Sequence, residues 1–543
     1  MAGGMPRAEY LLAYICGNVP APPVSPDARL AAHSAAAAGG DPDGADRISG
    51  LSDALLRDIV SRLPFKEAAR TSVLASRWRR VWLAAPLAVV DSDLVDDCPP
   101  EPADEADVTA AVSGALAAHP GPFRCAHLTS TRMGEHQPLL KRWLRILAAK
   151  GVQELVHVNR PCARQVVVPL PDTLFQITTL TSLYIGVWRL PHATRLKGVS
   201  FPRLRELGIC SVLVEDGDID SLVMRCPVLE ILNIQGSTKR LHLVSQTLRC
   251  VQISSSVVEN IALVKTPCLE RLILWQVKGS PFPASDMRTR IKIGIAPKLR
   301  VLGYLDPAHH LLEIGGTRIT VLLLPPIFHF VHLATVDFNV IILVECGELQ
   351  AGMEPTGSAI LTTVKVLSLE VCLGANGAMM VPAFLKCFPN VEALHIKSAK
   401  CDEPAGKFNI EYWQKVGPII SVLMRIKVMT ISEFRGEQHE LAFLQFVYQN
   451  AQVLESAVVT AANRRFTGIS DEQMTSILQQ LDSSRWASDF GLAIMGSNGP
   501  EGGIPWMFQR GANFSNDDPF APVKMRSELL FFMTSSCLCR FYS

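Results

Sequence analysis

The sequence is poor in charge. Of its 543 residues only 19% are Asp, Glu, Lys or Arg, and 52 basic against 51 acidic side chains leave a formal net charge of +1. That balance removes any bulk electrostatic drive toward nucleic acid or an anionic membrane. Paired cysteines are missing too. The 14 cysteines are dispersed with no CxxC spacing, and the nearest two are Cys537 and Cys539. Structural zinc needs ligands a few residues apart, so no zinc module is expected. Dispersed cysteines in a long chain fit a reducing compartment, most of them as small buried apolar groups. No apolar run approaches the roughly 18 residues a membrane-spanning helix needs. The short apolar stretch Tyr10 to Cys16 follows Glu9, precedes prolines and lacks an A-x-A cleavage pattern, which argues against a signal peptide. GxxxxGK[ST], GxGxxG, HExxH and GxSxG are all absent. His309, His310 and Glu313 come nearest to a metal cluster, but three ligands from one short loop are uncommon. No metal, no cofactor and no catalytic residue is expected.

What the chain has in quantity is apolar side chains, 48% of the total. It can bury a large core, and its length suits two or three domains or one elongated repeat array. Residues 1–45, rich in Ala, Gly and Pro, read as a disordered leader. Within 46–90, Leu51, Leu55, Ile59 and Leu63 recur every four positions with Leu56 and Val60 alongside, one apolar face of a helix. Ser52 suits the N-cap and Pro64 the stop. A second short helix is expected over Lys66 to Leu74. A third starts near Ser76 and carries Trp78 and Trp82 on one face. Three short helices are too small for an independent core, so a partner is expected to complete them. Arg77, Arg79 and Arg80 beside those tryptophans read as solvated rather than as a nucleic-acid patch. Residues 91–122 read as a connector, acidic and then helical.

From 123 to 405 an apolar-x-x-apolar-x-apolar pattern returns. Its instances are Val152/Leu155, Leu180/Leu183/Ile185, Leu204/Leu207/Ile209, Leu229/Leu232/Ile234, Leu248/Val251/Ile253, Leu269/Leu272/Leu274, Leu299/Leu302/Tyr304, Ile319/Leu322/Leu324, Val364/Leu367/Leu369 and Val391/Leu394/Ile396. Spacings of roughly 19 to 30 residues lie in the leucine-rich-repeat range. Pro202, Pro227, Pro267, Pro297 and Pro389 stand two residues ahead of the first apolar position, where a loop ends before a strand. The fold class expected is α/β: a solenoid with one short strand per repeat in a parallel, horseshoe-like sheet. The residue between the second and third apolar positions then points away from the core. These are Tyr184, Gly208, Asn233, Gln252, Ile273, Gly303, Leu323, Ser368 and His395. Tyr184, Asn233, Gln252, Ile273, Ser368 and His395 are the expected substrate-facing side chains. Over 411–461, Val422, Ile426, Val428 and Ile431 suggest a strand and Glu440 to Gln449 a helix. Beyond, 462–543 reads as one helix, Ser470 to Leu481, and an irregular Gly/Asn/Pro-rich tail.

Two stretches resemble known families. Asp46-Arg47-Ile48-Ser49-x-Leu51-x-Asp53-x-Leu55-Leu56-x-x-Ile59-x-x-x-Leu63-Pro64, with Lys66-Glu67-Ala68-Ala69-x-Thr71-Ser72-Val73-Leu74-x-Ser76-Arg77-Trp78-Arg79-x-x-Trp82, closely resembles the F-box of plant F-box proteins. One departure is Leu51-Ser52, where the family has Leu-Pro. Phe434-Arg435-Gly436-Glu437-x-x-Glu440-Leu441-x-Phe443-Leu444 and Asn450-Ala451-x-Val453-Leu454-Glu455 resemble the FBD domain that follows F-box and leucine-rich-repeat regions. Here the FBD is expected to close the solenoid's open end. The tail pieces Gly503-Ile504-Pro505-Trp506 and Asp517-Asp518-Pro519-Phe520 are similar to tails of that family. The resemblance implies docking on the SKP-type adaptor of a cullin-RING (SCF) ubiquitin ligase, with Leu51, Leu55, Ile59, Leu63, Pro64, Val73, Leu74 and Trp78 as fold and contact residues. It implies a protein substrate on the repeats and a non-catalytic role. Without a signal-peptide or membrane-spanning pattern a nuclear or cytoplasmic location is expected, and the charge balance makes neither nucleic acid nor membrane an expected partner. The alternative is a repeat scaffold outside any ligase.

Overall fold

The computed structural model describes residues 7–24, 48, 50–94, 105–134, 136–160, 167–196, 198–236, 238–279, 288–315, 317–321, 342–344, 360–374, 377–400, 410–463, 465, 486–497, 499–522 and 531–533. The chain forms two compact units, Met1–Thr238 and Lys239–Ser543.

The first unit opens with a helix, Arg7–Asn18, so the expectation of an irregular leader is corrected there. Leu12, Ile15 and Val19, three and four residues apart, give it one apolar edge, and Ile15 is fully buried. The Ala/Gly/Pro-rich surroundings hide so short a period. Three helices follow, Asp53–Ser61, Phe65–Thr71 and Ser76–Ala84. Six strands then run parallel in chain order: β1 (Leu87–Val90), β2 (Phe123–Leu128), β3 (Glu154–Val158), β4 (Ser182–Gly186), β5 (Glu206–Cys210) and β6 (Ile231–Gln235). Leu155, Leu183, Leu207 and Leu232 stand in one register and are buried, as the repeat pattern requires.

The second unit holds the remaining strands: from Lys239 the rest of β7 (Thr238–Val244), then β8 (Cys250–Lys265), β9 (Arg271–Lys278), β10 (Thr289–Ile295), β11 (Val301–Leu305), β12 (His310–Ile314), β13 (Thr317–Val321), β14 (Ile342–Val344), β15 (Val366–Val371), β16 (Ala393–Ser398), β17 (Val428–Phe434), β18 (Ser456–Ala461), β19 (Gly491–Met495) and β20 (Phe531–Met533). The main sheet is parallel in the order β8, β9, β11, β15, β16, β17, β18, β19, with β20 antiparallel on the last. The far half of β8 leaves it to pair with β10, starting a second sheet through β12, β13 and β14. Ser255 and Gln276, at φ 46 and 50, bulge out of the β8–β9 ladder, which runs on to Val257 and Lys278; the pairing with β10 begins at Asn260.

The proline lead-ins are turns. The amides of Leu204, Leu229, Leu269, Leu299 and Val391 each return to the carbonyl three residues back, placing the proline at the second turn position, where its fixed φ belongs. The next two amides then share one carbonyl of the preceding repeat, as Arg300 and Val301 do on Glu270. Each turn therefore sets the register of its strand.

Several expectations change. Ile319 does not begin a solenoid repeat: β13 runs antiparallel to β12 in the second sheet, and the neighbour of β11 is β15. Leu322, Leu323 and Leu324 lie outside the described residues. The FBD does not merely close the solenoid, since β17 and β18 extend the same parallel ladder. Within it Val422 belongs to a short helix, Ile420–Met424, and Ile426 precedes the strand. The C-terminal region is more than an irregular tail: β19 adds a strand, and 499–522, though largely irregular, packs across the sheet as described below. The helix expected at Ser470 to Leu481 lies outside the described residues. Of the seven described cysteines outside any disulfide, five are buried, while Cys372 is disulfide-bonded.

Candidate functional site

The first candidate surface is the three-helix module. Ser52, in extended conformation at φ −64, caps Asp53–Ser61 by accepting from the Leu55 amide at 3.4 Å. Leu56 and Val60 turn inward and are fully buried. Arg77 is half-exposed but not free in solvent: its guanidinium donates to Leu51 O at 2.5 Å and to Asp53 Oδ1 at 2.9 Å, tying the third helix to the start of the first. Arg79 and Arg80 are exposed as expected.

The module has an inner and an outer apolar side. Inside, Phe65 stacks on Phe123 at 6.3 Å and Trp82 meets His119 edge-on at 5.1 Å. His119 Nε2 bridges Ala85 O and Pro122 O, while burial pushes its pKa down. Outside, Val73 is 83% exposed, Leu74 67%, Ile48 56%, Leu55 54% and Ile59 39%. Of 16 exposed large hydrophobic side chains among the described residues, six fall between Ile48 and Leu83. Such a concentration makes the module a candidate docking surface. Of the eight expected adaptor residues, Leu55, Ile59, Val73 and Leu74 are therefore open, Leu51, Leu63 and Trp78 half-buried, and Pro64 buried.

The second candidate surface is the sheet face opposite the core. All six expected substrate-facing side chains point there, but the expectation of an open face is corrected: all are buried. In the first unit Tyr184 lies flat over Gly208, where a Cβ would meet its ring at 2.1 Å. Its hydroxyl donates to Glu206 Oε1 at 2.5 Å and accepts from Asn233 Nδ2 at 2.7 Å. Burial holds the Tyr184 hydroxyl well above its ordinary pKa, with the Glu206 charge adding to it. Ile15 of the N-terminal helix sits beside this cluster, over Gly186.

In the second unit the face is covered by residues 499–522. Trp506 Nε1 donates to Gln252 Oε1 at 2.8 Å, and Gln252 Nε2 donates to Phe508 O at 2.8 Å. Arg271 donates to Gly511 O, Asn513 O and Asn516 O at 2.9, 3.0 and 2.6 Å, and its guanidinium lies 4.7 Å from the Phe514 ring. Ile273 lies against Gly511. Trp506 and Phe520 meet the Tyr304 ring edge-on at 5.9 and 5.0 Å. His395 accepts or donates at Thr430 Oγ1, 2.7 Å away, and meets Asp518 Oδ2 at 2.9 Å. Burial raises the Asp518 pKa, but the His395 contact and the amides of Phe520 and Ala521 outweigh it and hold the carboxyl low. Ser368 is buried on the same row. The pieces Gly503-Ile504-Pro505-Trp506 and Asp517-Asp518-Pro519-Phe520, which carry three of these contacts, were the signal in the sequence for this cover.

The metal reading finds no convergence. His309 turns to Asp306 at 2.7 Å, His310 to Val277 O at 2.9 Å, and Glu313 to Lys292 at 2.7 Å. Among the described residues no three ligating side chains come together, and no helix is long and apolar enough to cross a membrane.

A three-helix module packed against a parallel leucine-rich sheet defines a leucine-rich-repeat protein with an N-terminal helical module. Three family models match the chain: the F-box domain over 48–87, the repeats of the FBD-associated F-box protein At5g56370 over 140–327 and 344–396, and FBD over 414–459. Among Arabidopsis thaliana relatives, F-box/FBD/LRR-repeat protein At1g13570 is 31% identical over 35% of this chain and 44% of its own length. The putative FBD-associated F-box protein At5g22720 is 29% identical over 48% and 55%. The matches thus span about half the length of these two relatives. F-box/LRR-repeat protein 13 is 25% identical over 76% of this chain and 89% of its own length. The chain belongs to the plant F-box/leucine-rich-repeat/FBD family.

Proposed function

We propose that the chain is the substrate-recognition subunit of an SCF-type cullin-RING ubiquitin ligase. The observation that carries this reading is the outer apolar side of the F-box, where Leu55, Ile59, Val73 and Leu74 stand in solvent beside a module already packed on its own solenoid through Phe65 and Trp82. Covering the exposed part of such side chains on an SKP-type adaptor is worth roughly 1–2 kcal/mol each. The repeats and FBD hold a protein substrate, and the chain contributes effective concentration rather than chemistry. It works without cofactor, in the nucleus and/or cytoplasm, which a fluorescent fusion checks. Binding of purified full-length chain to an SKP-type adaptor is the direct test. Failure to bind where a related F-box protein binds under the same conditions removes this reading. One feature favours the second reading, a scaffold outside the ligase: Ser52 stands where the family has proline.

A further inference from the structure

The C-terminal strap makes contacts of an unusual kind for a structural element. Among the described residues, 499–522 contribute no strand; their one regular element is the short helix Phe508–Ala512. The strap is held by sheet side chains that grasp its main chain and receive its rings. Arg271, itself buried, takes three of its carbonyls, and Gln252 binds it both ways. Trp506 and Phe520 lie on Tyr304, and Asp518 ends the series on His395. Side-chain capture of carbonyls together with aromatic anchors is how a groove binds an extended peptide. The chain enters the strap through Gly502 and Gly503 at φ 85 and 86, a left-handed turn that glycine favours, and the Gly502 amide donates to Glu433 Oε2 at 3.2 Å.

We propose that the second unit's sheet face is a peptide-binding groove occupied by the chain's own strap, which competes with a partner segment of the same chemistry: an extended stretch with a Trp-x-Phe pair and an Asp-Pro-Phe end. This deepens the receptor reading and rests on it for the groove's purpose; the test below uses no adaptor, so its failure leaves adaptor binding untouched. A tethered segment faces its groove at an effective concentration of order millimolar. If the free segment binds at about micromolar strength, the groove is open about one part in a thousand, and a competitor's affinity falls by about that factor.

A fluorescent peptide copying residues 501–522 is titrated against the full-length chain and against full-length W506A/F520A, whose strap keeps its covalent connection but loses its anchors. The peptide is expected to bind the double variant at least 100-fold more tightly than the native chain. Adding Arg271→Ala to the double variant is expected to abolish that gain. Equal weak binding to both chains, with the double variant folded by circular dichroism, overturns the proposal. Hydrogen exchange of the native chain decides the matter if the double variant does not fold. Amides of 504–520 are expected to exchange at least tenfold faster than those of β15 and β16, through opening of the strap alone. Exchange of strap and sheet at one common rate makes the strap ordinary core and rejects the groove.

Discussion

Val73 is 83% exposed and Leu55 54%, so neither contributes much to the module's own core. Aspartate at either position is expected to change the unfolding free energy by less than about 0.5 kcal/mol, as for ordinary surface sites. Adaptor affinity is expected to fall at least tenfold, since a charge would then face an apolar partner. Isothermal titration beside thermal melting measures both. Ser52 allows the opposite experiment. Its φ of −64 is already that of proline, and its capping bond at 3.4 Å is long. Ser52→Pro is expected to tighten adaptor binding with little change in melting temperature; weaker binding by a well-folded variant would show that the hydroxyl itself is used. At this scale the sequence reads unevenly. Every-fourth-residue leucines announced the module, yet the same spacing could not separate Leu56 and Val60, which turn inward, from Leu55 and Ile59, which do not. That choice depends on where Phe65 and Trp82 anchor the module, a tertiary fact.

At the scale of the strand, two histidines report on the first unit. His127 on β2 and His157 on β3 are buried, and burial pushes both down to about 4 from an ordinary 6.5. The unfolded chain therefore takes up protons between pH 6.5 and 4 that the folded chain refuses. Stability is full above that window and falls as pH drops through it. Each histidine is worth about 2 kcal/mol between pH 7 and 5. Urea unfolding at those two pH values is expected to show the loss. His157→Phe, which keeps a ring beside Trp188 at the 4.8 Å contact, is expected to remove one histidine's share. An unchanged pH slope in that variant counts against the assignment. Strands such as β3 were legible because apolar side chains recur at fixed offsets behind a turn proline. The second sheet was misread for the same reason in reverse: around Ile319 the offsets recur by chance in a strand that pairs antiparallel elsewhere. The strap gave no period at all, because its contacts run through carbonyls and three separated aromatic side chains.

At the scale of the whole molecule, the module cannot be removed cleanly from the solenoid. Phe123 on β2 is buried beneath Phe65, and His119 beneath Trp82. Deleting 48–85 would uncover both, along with Leu87 at the start of β1, and expose on the order of 2 kcal/mol of apolar surface per large side chain. The deletion is therefore expected to lower the melting temperature of the first unit by several degrees. A substrate trap built that way would lose recognition for reasons unrelated to the ligase. The full-length double variant L55D/V73D, by contrast, leaves Phe65, Trp82 and the Arg77 contacts to Leu51 and Asp53 in place. It is expected to melt with the native chain, to bind no SKP-type adaptor, and to accumulate a protein partner that the native chain passes on for ubiquitination. Proximity labelling from the two traps, read beside their melting curves, separates the outcomes. If the deletion melts with the native chain, the packing of Phe65 on Phe123 is not structural, and the module is the detachable unit its small size suggests.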